Sequence, residues 1–271
     1  VIRVELVKLF GRRRTWVAIG LLNLLPTLVC VLLAWTRIAP RPGQGPAFLS
    51  AVLANGSLFA IAALAIVLPL FLPIAVAVVA GDAVAGEAQG GTLRYLLVRP
   101  VGRTRLLVAK LLSVVAFVLL GVVTVTAVGF VVGHFLLGDA PLSQAMVSIS
   151  GSLLTPEQVA WRTVAAILLV TFSMLGVAAM ALFLSTTTDS PLSATLGALA
   201  FLIGSSLLLT VDAARPLQPY LPTRYWLSFV DLYRDPILWS SVTRGIALQA
   251  VYVGVLLLAA WANFTTRDVT S

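Results

Sequence analysis

The sequence predicts an all-α membrane protein: six transmembrane helices, an amphipathic N-terminal interface helix, and short external helices before the last span. Three observations carry this prediction. Of 271 residues, 60% are hydrophobic and 10% charged, against about 25% charged in soluble domains. Six stretches free of Asp, Glu, Lys, Arg and His are long enough to cross the bilayer hydrocarbon, which takes about 20 residues. Basic residues crowd some connections and thin out in others, as a fixed orientation requires. This composition excludes a water-soluble enzyme, a disordered chain and a free nucleic-acid-binding module. The net charge of +8 reads as anchoring beside spans, so no nucleic-acid partner is expected. A single Cys excludes a disulfide scaffold and a Cys-based metal cluster.

The first element, residues 1–14, alternates apolar and charged positions. Glu5, Lys8 and Arg12 share one helical face, and Ile2, Leu6, Leu9 and Phe10 fill much of the rest. This suits an amphipathic helix lying at the cytoplasmic interface; the alternative is a frayed basic leader. The six spans follow at Thr15–Thr36, Leu58–Ala80, Leu111–Gly133, Thr163–Ser185, Leu192–Val211 and Gly245–Thr266. The first is too long for the apolar core of a cleavable signal. Pro69 and Pro73 inside span two predict a bend beside a cavity, or ordinary membrane prolines. Thr155-Pro156-Glu157-Gln158 has the form of a capping box, so the fourth helix should begin before its apolar run. Ser185 to Pro191 reads as a tight polar turn between spans four and five. The segment Asp212–Arg244 is rich in Pro and aromatics and reads as short external helices dipping into the interface.

Arg3, Lys8, Arg12, Arg13 and Arg14 precede span one. Arg94, Arg99, Arg103, Arg105 and Lys110 separate spans two and three. The first and third connections carry only Arg37 with Arg41, and Arg162. Both termini of this multi-pass chain are therefore expected in the cytoplasm. The final connection resists this rule, with Arg215, Arg224, Arg234 and Arg244 on the external side.

No energy source is visible in the chain. A Walker A loop ends in Lys followed by Ser or Thr, whereas Lys8 and Lys110 are each followed by Leu. The apolar spans hold no ionisable group of the kind proton-coupled carriers keep. His134 is the only histidine, so no His-x-x-x-His zinc site exists. A Ser–His pair with Ser205 or Ser206 is the remaining enzymatic reading, against an ordinary histidine at the external end of span three. The chain is expected to be no enzyme by itself and to bind no cofactor.

The most informative stretch is the cytoplasmic segment 81–105. Asp82 and Glu87 precede the Gly90-Gly91 break, and a short apolar–basic run then leads to Pro100. It reads as helix, turn, short helix, turn, with acids at one end and arginines at the other: a docking element for a soluble protein. The other reading is a loop anchored by its positive charges. Glu87, the run Gly91-Thr-Leu-Arg-Tyr-Leu-Leu97, Arg99-Pro-Val101, Arg103 and Lys110 resemble the corresponding motif of bacterial type-2 ATP-binding-cassette (ABC) exporter permeases. The six spans, the amphipathic start and the aromatic external segment agree with that family along essentially the whole chain.

The resemblance implies a permease subunit paired with a second copy or a sister permease, and driven by two cytoplasmic ABC ATPase subunits that hold ATP and Mg. Contact with the ATPase would fall to Asp82, Glu87, Gln89, Gly91, Thr92, Arg94, Arg99 and Arg103, with Glu87 central and serving that interface rather than the bundle. The basic run could instead touch anionic lipid. The charge-free spans favour export of a hydrophobic or amphipathic substrate. Small residues permit close helix approach in lipid, so spans two and five should line the midline between permeases through Phe59, Ala62, Pro69, Pro73, Gly197, Ala200 and Gly204. Two rival readings are a non-transporting membrane scaffold or assembly subunit, and a membrane enzyme.

Overall fold

The computed structural model describes residues 2–38, 40, 41, 48, 49, 52, 53, 55–91, 102–138, 146–148, 150 and 152–266. Helix α1 (Ile2–Gly11) turns at Arg12 into α2 (Arg13–Thr36), which carries Pro26 without interruption. A 3-10 turn (Gly56–Leu58) opens α3 (Phe59–Val67), followed by α4 (Phe71–Gln89). Then come α5 (Arg103–Leu137), α6 (Pro156–Thr187), α7 (Pro191–Leu208) and α8 (Trp239–Thr266). The protein is an all-α membrane protein: α2, α4, α5, α6, α7 and α8 are each long and apolar enough to cross a membrane. The only strand pairing among the described residues is a two-residue antiparallel bridge, Met146–Val147 with Leu153–Leu154.

Helix α6 is the hub, packing on α4, α5, α7 and α8. Its start is the capping box: the Gln158 amide donates to Thr155 Oγ1 (3.3 Å) and the Thr155 amide to Gln158 Oε1 (3.0 Å). Ser190 caps α7 by accepting from the Ser193 amide at 3.3 Å, with Pro191 at the first helical position. The polar turn between these two helices lies where the sequence places it.

The expected second span departs from one continuous helix. It breaks at Leu68–Leu70, where Leu70 has φ −138° and ψ −58°. The two prolines supply the reason, since Pro69 and Pro73 lack the amides that Ala65 and Pro69 carbonyls would accept in a helix. The N-terminal piece, α3, is buried nearly all round. Gly129 and Gly133 of α5 let it approach: a Cβ on Gly129 would lie 2.9 Å from Ala63 Cβ, and one on Gly133 would strike Gly56 and Phe59. This is small-residue packing on span three, a position the sequence reading did not single out.

The short helices expected before the last span are present as 3-10 helices at Asp212–Ala214, Gln218–Tyr220 and Trp226–Tyr233, and they close one end of the bundle. Trp226, Phe229, Leu232 and Tyr233 turn inward, and the Trp226–Tyr233 turn packs on α6 and α8. Gln249 of α8 donates to Pro222 O at 2.7 Å, and Ser205 of α7 pairs with Thr223 at 2.8 Å. Burial pushes the Tyr233 phenol up to about 12, although its bond to Thr163 and the nearby Arg162 act the other way. Arg162, 4% exposed, donates to Arg234 O at 3.0 Å and lies over the Trp161 ring.

Candidate functional site

At the end of the bundle that holds both termini, α1 lies across the last turns of α4 and the first turns of α5. Helical spacing brings Glu5, Lys8 and Leu9 to one face, and Arg12 follows at the turn into α2. That charged face is turned into the protein: Glu5 and Leu9 are buried, whereas Val4 and Val7 are exposed. The helix is amphipathic, as its sequence predicts, and it is the charged face that packs on the bundle. The ionic partners it meets on α4 and α5 supply the reason.

Four charges converge there. Lys110 Nζ of α5 lies 2.9 Å from Glu87 Oε1 of α4 and 3.7 Å from Glu5 Oε2 of α1. Lys8 Nζ lies 3.3 Å from both Glu5 Oε1 and Glu87 Oε1. Lys110 is 1% exposed and Glu87 8%. Two acids and two bases cancel, which is the condition for keeping charge out of water. Partial burial works against the Lys8 ammonium, but the carboxylates of Glu87 and Glu5 outweigh it and hold the lysine above its ordinary value. One turn earlier on α4, Asp82 accepts from Arg12 Nη1 at 2.8 Å and from Arg14. The α1–α2 corner is set by Thr15 Oγ1 donating to Leu9 O and Trp16 Nε1 donating to Phe10 O.

The C-terminal half of α4 is held from two further sides. Ser185 of α6 donates to Gly81 O (2.7 Å) and accepts from the Val84 and Ala85 amides (3.1 and 2.8 Å). A hydroxyl inserted into a helix's own ladder loosens it locally. Thr195 of α7 reaches Ala77 O at 3.4 Å, over Gly81, where a Cβ would lie 2.6 Å from the threonine hydroxyl. The serine was legible only as part of a turn; its contact lies 104 residues away in sequence.

Several expected site residues change meaning. Asp82 and Glu87 are not displayed on a separate docking element; they belong to α4, and Glu87 is a buried member of the bundle. The reason is Lys110, a second buried charge that requires it. Gln89 and Gly91 are exposed at the end of α4, with Gly91 at φ +66°, a left-handed turn that favours glycine. Arg103 is half-buried and donates to Phe264 O and Thr265 O (3.3 and 2.9 Å), capping the C-terminus of α8. Thr92, Arg94 and Arg99 lie outside the described residues. On the proposed midline, Phe59 and Ala62 are wholly buried against the chain's own helices, so they face no second copy. Their position follows from the break in span two, which tucks α3 against the α5 glycines. Gly197 and Ala200 are exposed on α7 and Gly204 is half-exposed, while Pro69 and Pro73 border α7 across a cavity.

The bundle and its buried ionic cluster define a multi-pass α-helical membrane protein whose N-terminal helix is clasped to its second and third spans. The model for the family described as a protein of unknown function (DUF2705) matches residues 27–270, and the chain belongs to that family. No curated protein matches it.

Proposed function

We propose that this chain is the membrane-spanning permease subunit of an ABC transporter, exporting a hydrophobic or amphipathic substrate and driven by a separate cytoplasmic ATPase. The observation that carries the reading is the placement of the ionic cluster. Glu87 and Lys110 sit on the two helices that flank residues 92–101, the segment bearing the permease-like motif. Helix α1 grips both through Glu5 and Lys8. A force applied to that segment would be delivered to α4 and α5 together, with α1 as the clasp that keeps them in register. The broken α3–α4 element would then let the inner half of span two move while α3 stays packed on α5. A ligand or nucleotide can drive such a switch only by binding its two states unequally. In this reading both termini are cytoplasmic and the membrane is the bacterial inner membrane.

The test is copurification of the chain with a Walker-motif ATPase, followed by ATPase assays on the complex. The double variant Glu87→Leu/Lys110→Met removes both buried charges without orphaning either. It should fold, assemble, and lose transport-linked stimulation of hydrolysis. Full stimulation by this variant would remove the cluster from coupling. A chain that purifies alone and stimulates no ATPase would favour the scaffold reading.

A further inference from the structure

The corner between α1 and α2 has a second face that the ionic cluster does not use. Helix α1 flanks the bundle rather than covering its tip, because α5, whose Lys110 it grips, begins about two turns earlier at Arg103. With Glu5 and Leu9 turned inward, the outward face of α1 carries Arg3, Val7 and Phe10, all exposed and at helical spacing. Phe10 leads onto α2: its ring centroid lies 6.5 Å from that of Trp16, whose indole donates to Phe10 O at 2.8 Å. From there an exposed apolar stripe of Val17, Leu24, Leu28, Val31 and Trp35 runs the length of α2. Arg13, also exposed, heads that stripe on the same helical face.

The stripe has the length of a bilayer. Arg13 and Trp35 are separated by about 33 Å of helix, against ~30 Å of hydrocarbon. Trp239 and Trp261, exposed towards the two ends of α8, are the same distance apart along their own helix, about 33 Å. Tryptophan favours the headgroup level. Arg13 therefore sits at the level of the lipid phosphates at one end of α2, with Trp35 at the opposite interface.

The corner also carries positive charge that the protein does not neutralise. Lys8 and Lys110 are matched by Glu5 and Glu87, whereas Arg12 and Arg14 share the one carboxylate of Asp82. Arg3 and Arg13 are exposed and have no ion pair among the described residues. At this depth the opposite charge is supplied by lipid headgroups. A zwitterionic headgroup brings its own cation with each phosphate; an anionic one leaves the phosphate charge for the arginines.

We infer that the outward face of the α1–α2 corner is a binding surface for anionic phospholipid. The phosphate pairs with Arg13 and Arg3, and the acyl chains lie along Val17, Leu24 and Leu28, with Phe10 and Trp16 beside the glycerol. Exposed apolar area and basic charge act together in such a surface. The inference goes beyond the proposed function and does not rest on it: a scaffold would bind lipid in the same way, and no ATPase enters the test.

The test is photolabelling of the purified full-length chain in phosphatidylcholine nanodiscs. These are doped with a diazirine-bearing phosphatidylglycerol or with its phosphatidylcholine counterpart, and the label is mapped by mass spectrometry. The phosphatidylglycerol probe should label peptides covering Phe10–Leu28 at least fivefold more than the phosphatidylcholine probe, whereas both should label α8 equally. A basic side chain beside an anionic surface is worth about fivefold in affinity, so Arg3→Gln/Arg13→Gln should remove most of the preference. Arg3→Lys/Arg13→Lys, which keeps the charge, should retain it. Arg105→Gln, which removes an exposed arginine of α5 outside the corner, should leave it unchanged. Equal labelling of the corner by the two probes would overturn the inference, as would a preference that survives Arg3→Gln/Arg13→Gln. So would equal losses in the Lys and Gln double variants, because charge would not then be what binds. An equal loss in Arg105→Gln would overturn it too, because any positive charge at this end would then serve.

Discussion

Lys110 and Glu87 are the residues on which this bundle end turns. Lys110, 1% exposed, has its ammonium 2.9 Å from the Glu87 carboxylate and 3.7 Å from that of Glu5. Glu87→Ala or Lys110→Met should each destabilise the protein by about 3–5 kcal/mol, because each leaves an uncompensated buried charge. The double variant Glu87→Leu/Lys110→Met should be much less destabilised than either single change; thermal unfolding in detergent checks this. Exposed Arg12 and Arg14 on Asp82 should contribute far less, under about 1 kcal/mol. Lys8 gives a pH signature. Its folded-state value lies above the ordinary 10.5, so its contribution is complete below about 10.5 and is lost as pH rises through the raised value. Hydrogen exchange in α1 should accelerate above that pH earlier than exchange in α6; equal acceleration in both helices would show that Lys8 does not govern the docking of α1.

At the scale of elements, three helices owe their limits to a few residues each. Thr155→Ala should cost about 1 kcal/mol by removing one arm of the α6 capping box, read as a drop in unfolding midpoint. Helix α3 depends on the absence of side chains at Gly129 and Gly133. Gly133→Val would force α3 away from α5 and should cost at least the 1–3 kcal/mol typical of overpacking. Proteolysis between α2 and α3 should become faster in that variant, and an unchanged digestion pattern would mean that α3 is held by other contacts. Helix α1 shows how the same amphipathic pattern can serve two orientations. Its charged face meets ionic partners, so its apolar face, with Val4 and Val7, is left for the surroundings.

Over the whole molecule, the two ends differ in kind. One end ties α1, α4, α5 and α8 together through ions and through Arg103 on the α8 carbonyls. The other is closed by the aromatic turns 212–238, with Arg162 buried beneath them. Cysteine labelling at Thr188 and Thr270 should report one side of the membrane, and at Gln218 the other. Labelling of Thr188 and Gln218 from the same side would break the six-span topology. In the proposed permease, the small residues of α7 that face outward, Gly197 and Ala200, are where a second copy would pack. Cysteines there should crosslink between copies in membranes; crosslinks confined to one chain would place the contact elsewhere.

Some features follow from local chemistry, and the sequence alone determined them. The six spans follow from apolar length, the start of α6 from a four-residue cap, and the α6–α7 turn from its Ser, Thr and Pro. The need for something unusual at Pro69 and Pro73 follows from their missing amides. Glu87 stood out in its motif, but its surroundings did not, because Lys8 is 79 residues away along the chain. Tertiary structure alone decided that the charged face of α1 points inward and that Arg103 caps α8. It also decided that α3, with Phe59 and Ala62, is buried inside its own bundle. The physical reason is common to all of these. Periodicity shows that a helix has a face, whereas the direction of that face is set by which distant charge, glycine or unpaired carbonyl the fold brings against it.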